Sequence, residues 1–392
     1  MPARSSGIAP TDERSIEALQ RRQRAGDLRA LTAEAFRALV QRQGLEQAYQ
    51  QTDVVCAADT LLSDQGSLQL SLGPCDPPIR LRELQLAGVP AQVGGSGSEV
   101  LLPLGGGLSD PNRRSGAQVL AELLDGQALP LNGSGEPTQL QPRLELSGTA
   151  SLQEFGVARL LLHRAIVENG IVALNGGEGL LRTPHGPLLG PFVSALYTCG
   201  GAGSIGLTMP GLSQLGPGSA VLVGGGLGWV MGAGSGHNPT PRRQASGHAC
   251  APGAAAAVAI DLEALDAAFV RCCFVEGHGA ALLVSLAAPV LLLNRALAAQ
   301  AAADADALVA PVLDLAIPRR VKPQLAAASY GQLTSGQLQL QGHTVRCAPA
   351  HSPRLTAAAA EQLRQALLAG RFPLQGPVCP LPSRPALRPF DP

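Results

Sequence analysis

The chain has no charge excess of either sign. Its 392 residues carry 29 Lys+Arg and 29 Asp+Glu, a formal net charge of zero, so it lacks the basic surplus that marks a nucleic-acid-binding surface. Lysine is nearly missing. Lys322 is the single one, and beside the abundant Ala, Gly, Pro and Arg this reads as genome-level bias rather than arginine chemistry. Aromatic residues make up 3% of the chain, too few for a base-stacking platform. Long apolar runs are missing too. The most apolar stretch, Gly279 to Leu293, contains Pro289 and falls short of the roughly 20 residues a membrane helix needs. Met1 to Asp12 is polar, with no apolar segment before a cleavage site. The expectation is a cytoplasmic protein that binds neither nucleic acid nor membrane.

Paired cysteines are also lacking. Residues 56, 75, 199, 250, 272, 273, 347 and 379 are cysteines, but none forms a CxxC pair and no Cys/His spacing matches a zinc template. The chain is therefore expected to hold no metal and no iron–sulfur cluster of its own. A disulfide framework is not expected in a cytosolic protein.

What is present is 45% hydrophobic residues against 15% charged, with 47 Gly and 32 Pro. That balance excludes a wholly disordered chain and suits a loop-rich globular protein. Two N-terminal helices are expected between Asp12 and Gln50, starting near Thr11–Asp12, with Phe36, Leu39 and Val40 on one face. Strands follow at Asp53–Thr60, Ser67–Leu72, Ile79–Leu86 and Val100–Leu104, separated by Gly and Pro clusters. Gln118–Leu124 reads as a short helix ended by Gly126, and Leu131–Pro142 as an exposed loop or subdomain joint. Arg143–Leu152 is a strand, and Phe155–Val167 a helix. Later strands are expected at Ala254–Ile260, Phe274–Leu286 and Ala310–Ile317, and helices at Asp261–Phe269, Leu291–Leu308 and Leu355–Leu368. The fold class is mixed α/β with helices at both ends. Its domain organisation is a flexible N-terminus at 1–14, one domain over 15–368 with a joint near 131–142, and a Pro-rich tail at 369–392.

Several clusters could carry chemistry. An apolar strand runs into Gly224, Gly225, Gly226 and Gly228, where backbone N–H groups could cradle an anion. The alternative is a tight turn between packed strands. Trp229 occupies the place of the third glycine of GxGxxG, which disfavours a nicotinamide fingerprint. Next come His237 and Asn238, near Arg242 and Arg243, a set suited to carbonyl activation or carboxylate binding or simply to turn hydrogen bonds. Glu276-Gly-His-Gly places His278 at a strand edge. Ile317-Pro-Arg-Arg offers Arg319 and Arg320 as an anion clamp or a solvated pair. Gly73-Pro-Cys-Asp-Pro-Pro is a rigid turn carrying Cys75 beside Asp76, a carboxylate that raises a thiol's pKa unless Arg80 or Arg82 offsets it. Cys56, on the strand Asp53-Val-Val-Cys, reads as core.

The order Asp53-Val-Val, Asp76-Pro-Pro-Ile, Val223-Gly-Gly-Gly-Leu-Gly-Trp-Val, Gly236-His-Asn-Pro, Glu276-Gly-His-Gly, Ala310-Pro-Val-Leu-Asp and Ile317-Pro-Arg-Arg resembles the homocysteine biosynthesis (sulfur-incorporation) family from about Ser15 to about Leu368. The resemblance implies an enzyme that turns L-aspartate semialdehyde into homocysteine through a cysteine persulfide. It also implies an external sulfide or persulfide donor, an external reductant, and a ferredoxin-type iron–sulfur partner protein. On this reading Cys75, Cys56, His237 and His278 are the catalytic candidates. Gly224, Gly225, Gly226, Gly228, Asn238, Arg319, Arg320 and Asp76 are the substrate-binding ones. The family pattern implies a reactive cysteine where this chain has Asp64, and a second in the stretch aligned with Gly133 to Pro142, which has none. Either Cys75 or Cys56 substitutes, or the chain is a divergent member that binds a small anionic metabolite or a partner protein without transferring sulfur.

Overall fold

The structure is a computed structural model that describes residues 14–95, 97–106 and 113–383. It opens with helix Ile16–Ala25, strand Ala30–Thr32 and helices Ala33–Gln43 and Leu45–Gln51. The side chain of Ser15 accepts the Ala18 N–H at 3.1 Å and caps the first helix. The expected start at Thr11–Asp12 lies outside the described residues. Thr32 caps the second helix in the same way, and Phe36 and Leu39 face inward as their spacing predicts.

The body is a mixed α/β arrangement of two main sheets among the described residues. In the larger, the strands at the centre follow the spatial order Val54–Ser63, Gly279–Leu291, Ala220–Val223, Gly226–Ala233, Ala255–Asp261, Phe155–Val167 and Gly66–Leu72. Alternation along Val54–Ser63 explains its central place. Val55 and Ala57 join the core that contains Phe36 and Tyr49. Val54, Cys56 and Ala58 point the other way, into a core closed by the C-terminal helix Pro353–Leu368. Ala359 and Ala360 on that helix are small enough to let it lie close against the strand. The strand's far end, from Asp59 onward, leaves this two-sided core and runs toward the second sheet. That sheet orders Gln324–Ser329, Val309–Asp314, Val172–Leu174, Ser194–Tyr197, His343–Pro349 and Gln337–Leu340.

Several expected elements differ. Phe155–Val167 is a strand, not a helix. Ala158, Leu160 and Leu162 are buried while Arg159 and His163 are exposed, a period of two, and the segment pairs along both edges with Gly66–Leu72 and Ala255–Asp261. Asp261–Phe269 is not a helix beyond the single turn Leu262–Ala264. Its backbone is used elsewhere, the Asp266 N–H donating to Gly224 O and the Phe269 carbonyl accepting from Ser285 N–H. The proposed joint near 131–142 begins within a strand, Leu129–Gly135, which pairs with Leu81–Leu86 and Glu145–Ala150. The expected strand Phe274–Leu286 straddles a hairpin whose arms are Val270–Val275 and Gly279–Leu291. The start of the tail packs rather than extends: Phe372 and Leu374 are buried against the C-terminal helix. Residues 1–13 and 384–392 lie outside the described residues.

Candidate functional site

Between the two sheets lies a cavity of about 340 Å³. One wall is the end of the first central strand, Asp59 to Gln65, with Arg164 and Ala165 from the strand beside it. Opposite stand Thr198 and Cys199, just past strand Ser194–Tyr197, and Asn169 to Ile171. Pro184 and His185, at the tip of the hairpin formed by Gly179–Thr183 and Gly186–Gly190, close one side.

Buried polar groups hold this wall rigid. Glu168 is fully buried and takes a bidentate bond from Arg243, with further N–H donors from Gly211 at 2.6 Å and Ala254 at 3.1 Å. Beside it, Asn169 donates to Ala249 O and Val309 O and accepts from the Tyr330 hydroxyl at 2.6 Å. Every amide atom of Asn169 is thus used in fixing the loop. The Tyr330 ring stands under Gly201, where an added Cβ would lie 2.6 Å from it. Only glycine fits there, at φ +76°, and this contact sets the course of the segment that begins at Cys199.

Four groups in the wall can act on a ligand. Arg164 is largely enclosed, and burial lowers its pKa; its guanidinium remains charged and makes no ion pair or hydrogen bond among the described residues. Asp59 accepts the Ile205 N–H at 2.9 Å. Although part of its surface opens to the cavity, loss of solvation pushes its carboxyl up to about 7, so it gains and loses a proton near neutrality. Cys199 is 7% exposed. Burial first, then the charge of Asp59, push its thiol up to about 11, while bonds from Ser204, Tyr330 and Gly201 pull the other way. Burial first, then the nearby His278 and Arg164, lower the pKa of His185, with Asp64 opposing.

The residues singled out from sequence are scattered over the molecule. His278 comes nearest: its Nε2 lies 3.0 Å from Asp64 Oδ2, and Asp64 lines the cavity at the position where the family pattern implies a cysteine. Cys75 and Asp76 sit in a turn at the sheet's outer end, the thiol half-buried and the carboxylate exposed; Arg82 is engaged by Glu136. Cys56 is fully buried under the C-terminal helix, and burial raises its thiol far above the ordinary range. His237 bridges Ala255 at Nδ1 and Pro382 O at Nε2, 2.9 Å away, fastening the C-terminal segment to the sheet. Asn238 accepts the Thr240 N–H in a turn. Arg319 and Arg320 are exposed on a loop. Gly224 and Gly225 form the two-residue turn of a hairpin, at φ +52° and +81°. Protein already occupies the space around these glycines: a Cβ on Gly226 would meet Ala264 O at 2.0 Å, and one on Gly228 would meet Ala259 O at 2.8 Å. None of these glycines lines the cavity.

Sequence reasoning missed Arg164, Asp59 and Cys199. The last had a signal: Tyr197-Thr-Cys-Gly-Gly-Ala-Gly-Ser is a thiol opening a glycine run after an apolar strand. Among the described residues, no group of three or more His, Cys, Asp or Glu is placed to hold a metal ion, and no helix is long and apolar enough to cross a membrane.

Comparison with known proteins adds the family. The chain is 26% identical over 368 residues to L-aspartate semialdehyde sulfurtransferase of Methanosarcina acetivorans, covering 93% of this chain and 71% of that protein. It is 25% identical over 381 residues to the protein of the same name from Methanocaldococcus jannaschii, covering 92% and 71%. No solved structure matches it. The family described as homocysteine biosynthesis enzyme, sulfur-incorporation, matches residues 29–374. With most of its length matched, this chain belongs to the homocysteine biosynthesis, sulfur-incorporation family.

Proposed function

We propose that the chain incorporates sulfur into L-aspartate semialdehyde to form homocysteine in the cavity between the sheets, with Cys199 as the sulfur carrier. The observation that carries this reading is that the cavity's single cysteine stands opposite a guanidinium, Arg164, that makes no ion pair or hydrogen bond among the described residues. A carboxylate with an aldehyde a few bonds away matches both: Arg164 holds the carboxylate in a forked pair of hydrogen bonds, and the aldehyde carbon reaches the sulfur.

A thiol held near 11 is mostly protonated at neutral pH, which suits a carrier loaded by a donor better than a free nucleophile. Once loaded, the outer sulfur of Cys199–S–SH attacks the aldehyde carbon. It loses its proton, and the carbonyl oxygen becomes a hydroxyl, giving Cys199–S–S–CH(OH)–R. Asp59, titrating near neutrality, can take the first proton and supply the second. Two electrons and two protons then cleave the S–S bond, releasing the Cys199 thiol and HS–CH(OH)–R. Loss of water and a further two electrons and two protons give R–CH2–SH. The four electrons come from an external one-electron carrier of the iron–sulfur protein class, and the sulfur from an external persulfide donor, R′–S–SH, which passes its outer sulfur to the Cys199 thiol and leaves as R′–SH.

The test is homocysteine formation from L-aspartate semialdehyde, with a persulfide donor and a low-potential reductant, by the parent chain and by Cys199→Ala and Cys75→Ala. Loss in Cys199→Ala with retention in Cys75→Ala supports the assignment. Retention in Cys199→Ala refutes it.

A further inference from the structure

A second cavity, of about 250 Å³, lies on the other face of the Cys199–Ser204 segment, lined by Gly200, Ala202, Gly203 and Ser204. Its remaining walls come from the first turns of two helices, Ala33–Gln43 and Pro353–Leu368, and from Cys56, Ala58, Arg37 and His351. Two polar atoms in it have no partner. Arg37 Nη1 and His351 Nδ1 are both buried with no hydrogen-bond partner among the described residues, although the Tyr197 backbone and ring lie against the imidazole. The rest of the Arg37 guanidinium makes no hydrogen bond or ion pair among the described residues. Its nearest opposite charges, Glu34 and Asp304, act on it only through space. Glu34, one turn earlier on the same helix, also lines the cavity but is exposed to solvent.

A charged donor kept from water without an acceptor costs free energy that the fold does not recover, and the same is true of the idle imidazole nitrogen. Both residues line a space large enough for a small molecule. The glycines beside them leave room: a Cβ on Gly203 would lie 3.3 Å from Arg37 Nη1, and one on Gly200 would lie 3.6 Å from His351 Nε2, the other ring nitrogen. Both helices also direct their positive ends at the cavity, an arrangement that favours negative charge.

We infer that this second cavity is a binding site for a compact oxyanion, a carboxylate or a tetrahedral inorganic anion, gripped by the Arg37 guanidinium and the His351 ring nitrogen. The site is separate from the sulfur-transfer cavity and does not depend on that reading. Because the two share the Cys199–Ser204 segment as a partition, an anion bound on one side bears on the backbone that presents Cys199 on the other.

The test uses the full chain and a local readout. Histidine ring signals are followed by NMR during titration with sodium sulfate, inorganic phosphate or succinate, and the His351 signal is assigned through His351→Asn. The His351 signal should shift saturably in the parent chain and equally in Arg164→Gln, which alters only the first cavity. In Arg37→Gln the midpoint should rise about tenfold or more, the scale of one charge-assisted contact. Arg37→Lys, which keeps the charge and loses the fork, should fall between and guards against a misfolded Gln variant. Whichever anion saturates at the lower concentration identifies the source. No shift with any of the three, or the same midpoint in the parent and both Arg37 variants, overturns the site.

Discussion

Gly224–Gly228 and Gly200–Gly203 are both glycine runs that follow an apolar strand, and they differ in what a side chain added to them would meet. Around the first, protein atoms fill the space. Gly224 faces the side chains of Val270 and Leu265 at 2.5 and 2.6 Å, and Gly226 faces a backbone carbonyl at 2.0 Å. Within the second, Gly201 is packed on the Tyr330 ring at 2.6 Å, but Gly200 meets only a histidine ring nitrogen at 3.6 Å and Gly203 a guanidinium at 3.3 Å and Ala33 Cβ at 3.6 Å, beside an open cavity. A run of glycines thus serves either to let backbone pack against backbone or to keep a ligand's space open, and the surroundings decide which. In this chain the longer and more conspicuous run is the packed one.

The two glycine-lined regions can be set apart by substitution. The largest effect belongs to the partition between the cavities. Asp59 holds its proton up to about 7 in the folded chain, against an ordinary value of 3.8. Both states are protonated well below 4. As pH rises from there, the unfolded chain ionises first, so stability falls until pH passes 7 and then levels off. Asp59→Asn keeps an acceptor for the Ile205 N–H and removes that loss. It should be more stable than the parent by on the order of 2–4 kcal/mol at pH 8 and no more stable at pH 4, as read by urea unfolding. A parallel pH dependence in both proteins would mean that Asp59 is not desolvated.

Next in size, Arg164→Gln should raise KM for L-aspartate semialdehyde about ten- to a hundredfold, since it removes a charge-assisted fork, with a smaller change in kcat. Gly226→Ala should cost about 1–3 kcal/mol of stability through overpacking, while the folded fraction keeps its activity. Gly200→Ala makes the converse case: stability within about 0.5 kcal/mol of the parent, with anion binding in the second cavity weakened. If Gly226→Ala instead impaired activity at full stability, the distinction between the two runs would fail.

The elements that could be read directly from sequence are those whose pattern is local. Phe36 and Leu39 mark an inward face, and the expected helix Leu355–Leu368 lies within the helix Pro353–Leu368. Phe155–Val167 was ambiguous because Leu160, Leu161 and Leu162 stand in a row; only pairing with strands far away in sequence decides that alternate residues turn inward. The site was less legible still. Asp59, Arg164 and Cys199 are distant in sequence, and each looks ordinary in its own segment. What makes them candidates is shared desolvation and, for Arg164, the lack of an ion partner, both of which arise only once the two sheets meet. His278 stands out in sequence through its Gly-flanked turn, and its link to the cavity runs through Asp64.

The smallest expected effect is that of Cys75→Ala. This thiol sits half-buried in an outer turn, and its loss should leave stability within about 0.5 kcal/mol and turnover unchanged. That contrast leads to the most direct measurement: peptide mass spectrometry of the full chain after exposure to a persulfide donor, with each cysteine peptide searched for a gain of about 32 Da, the mark of persulfidation. The account predicts the added sulfur on Cys199, lost in Cys199→Ala together with homocysteine formation. Sulfur found on Cys75 or Cys56 with Cys199 unmodified would contradict it.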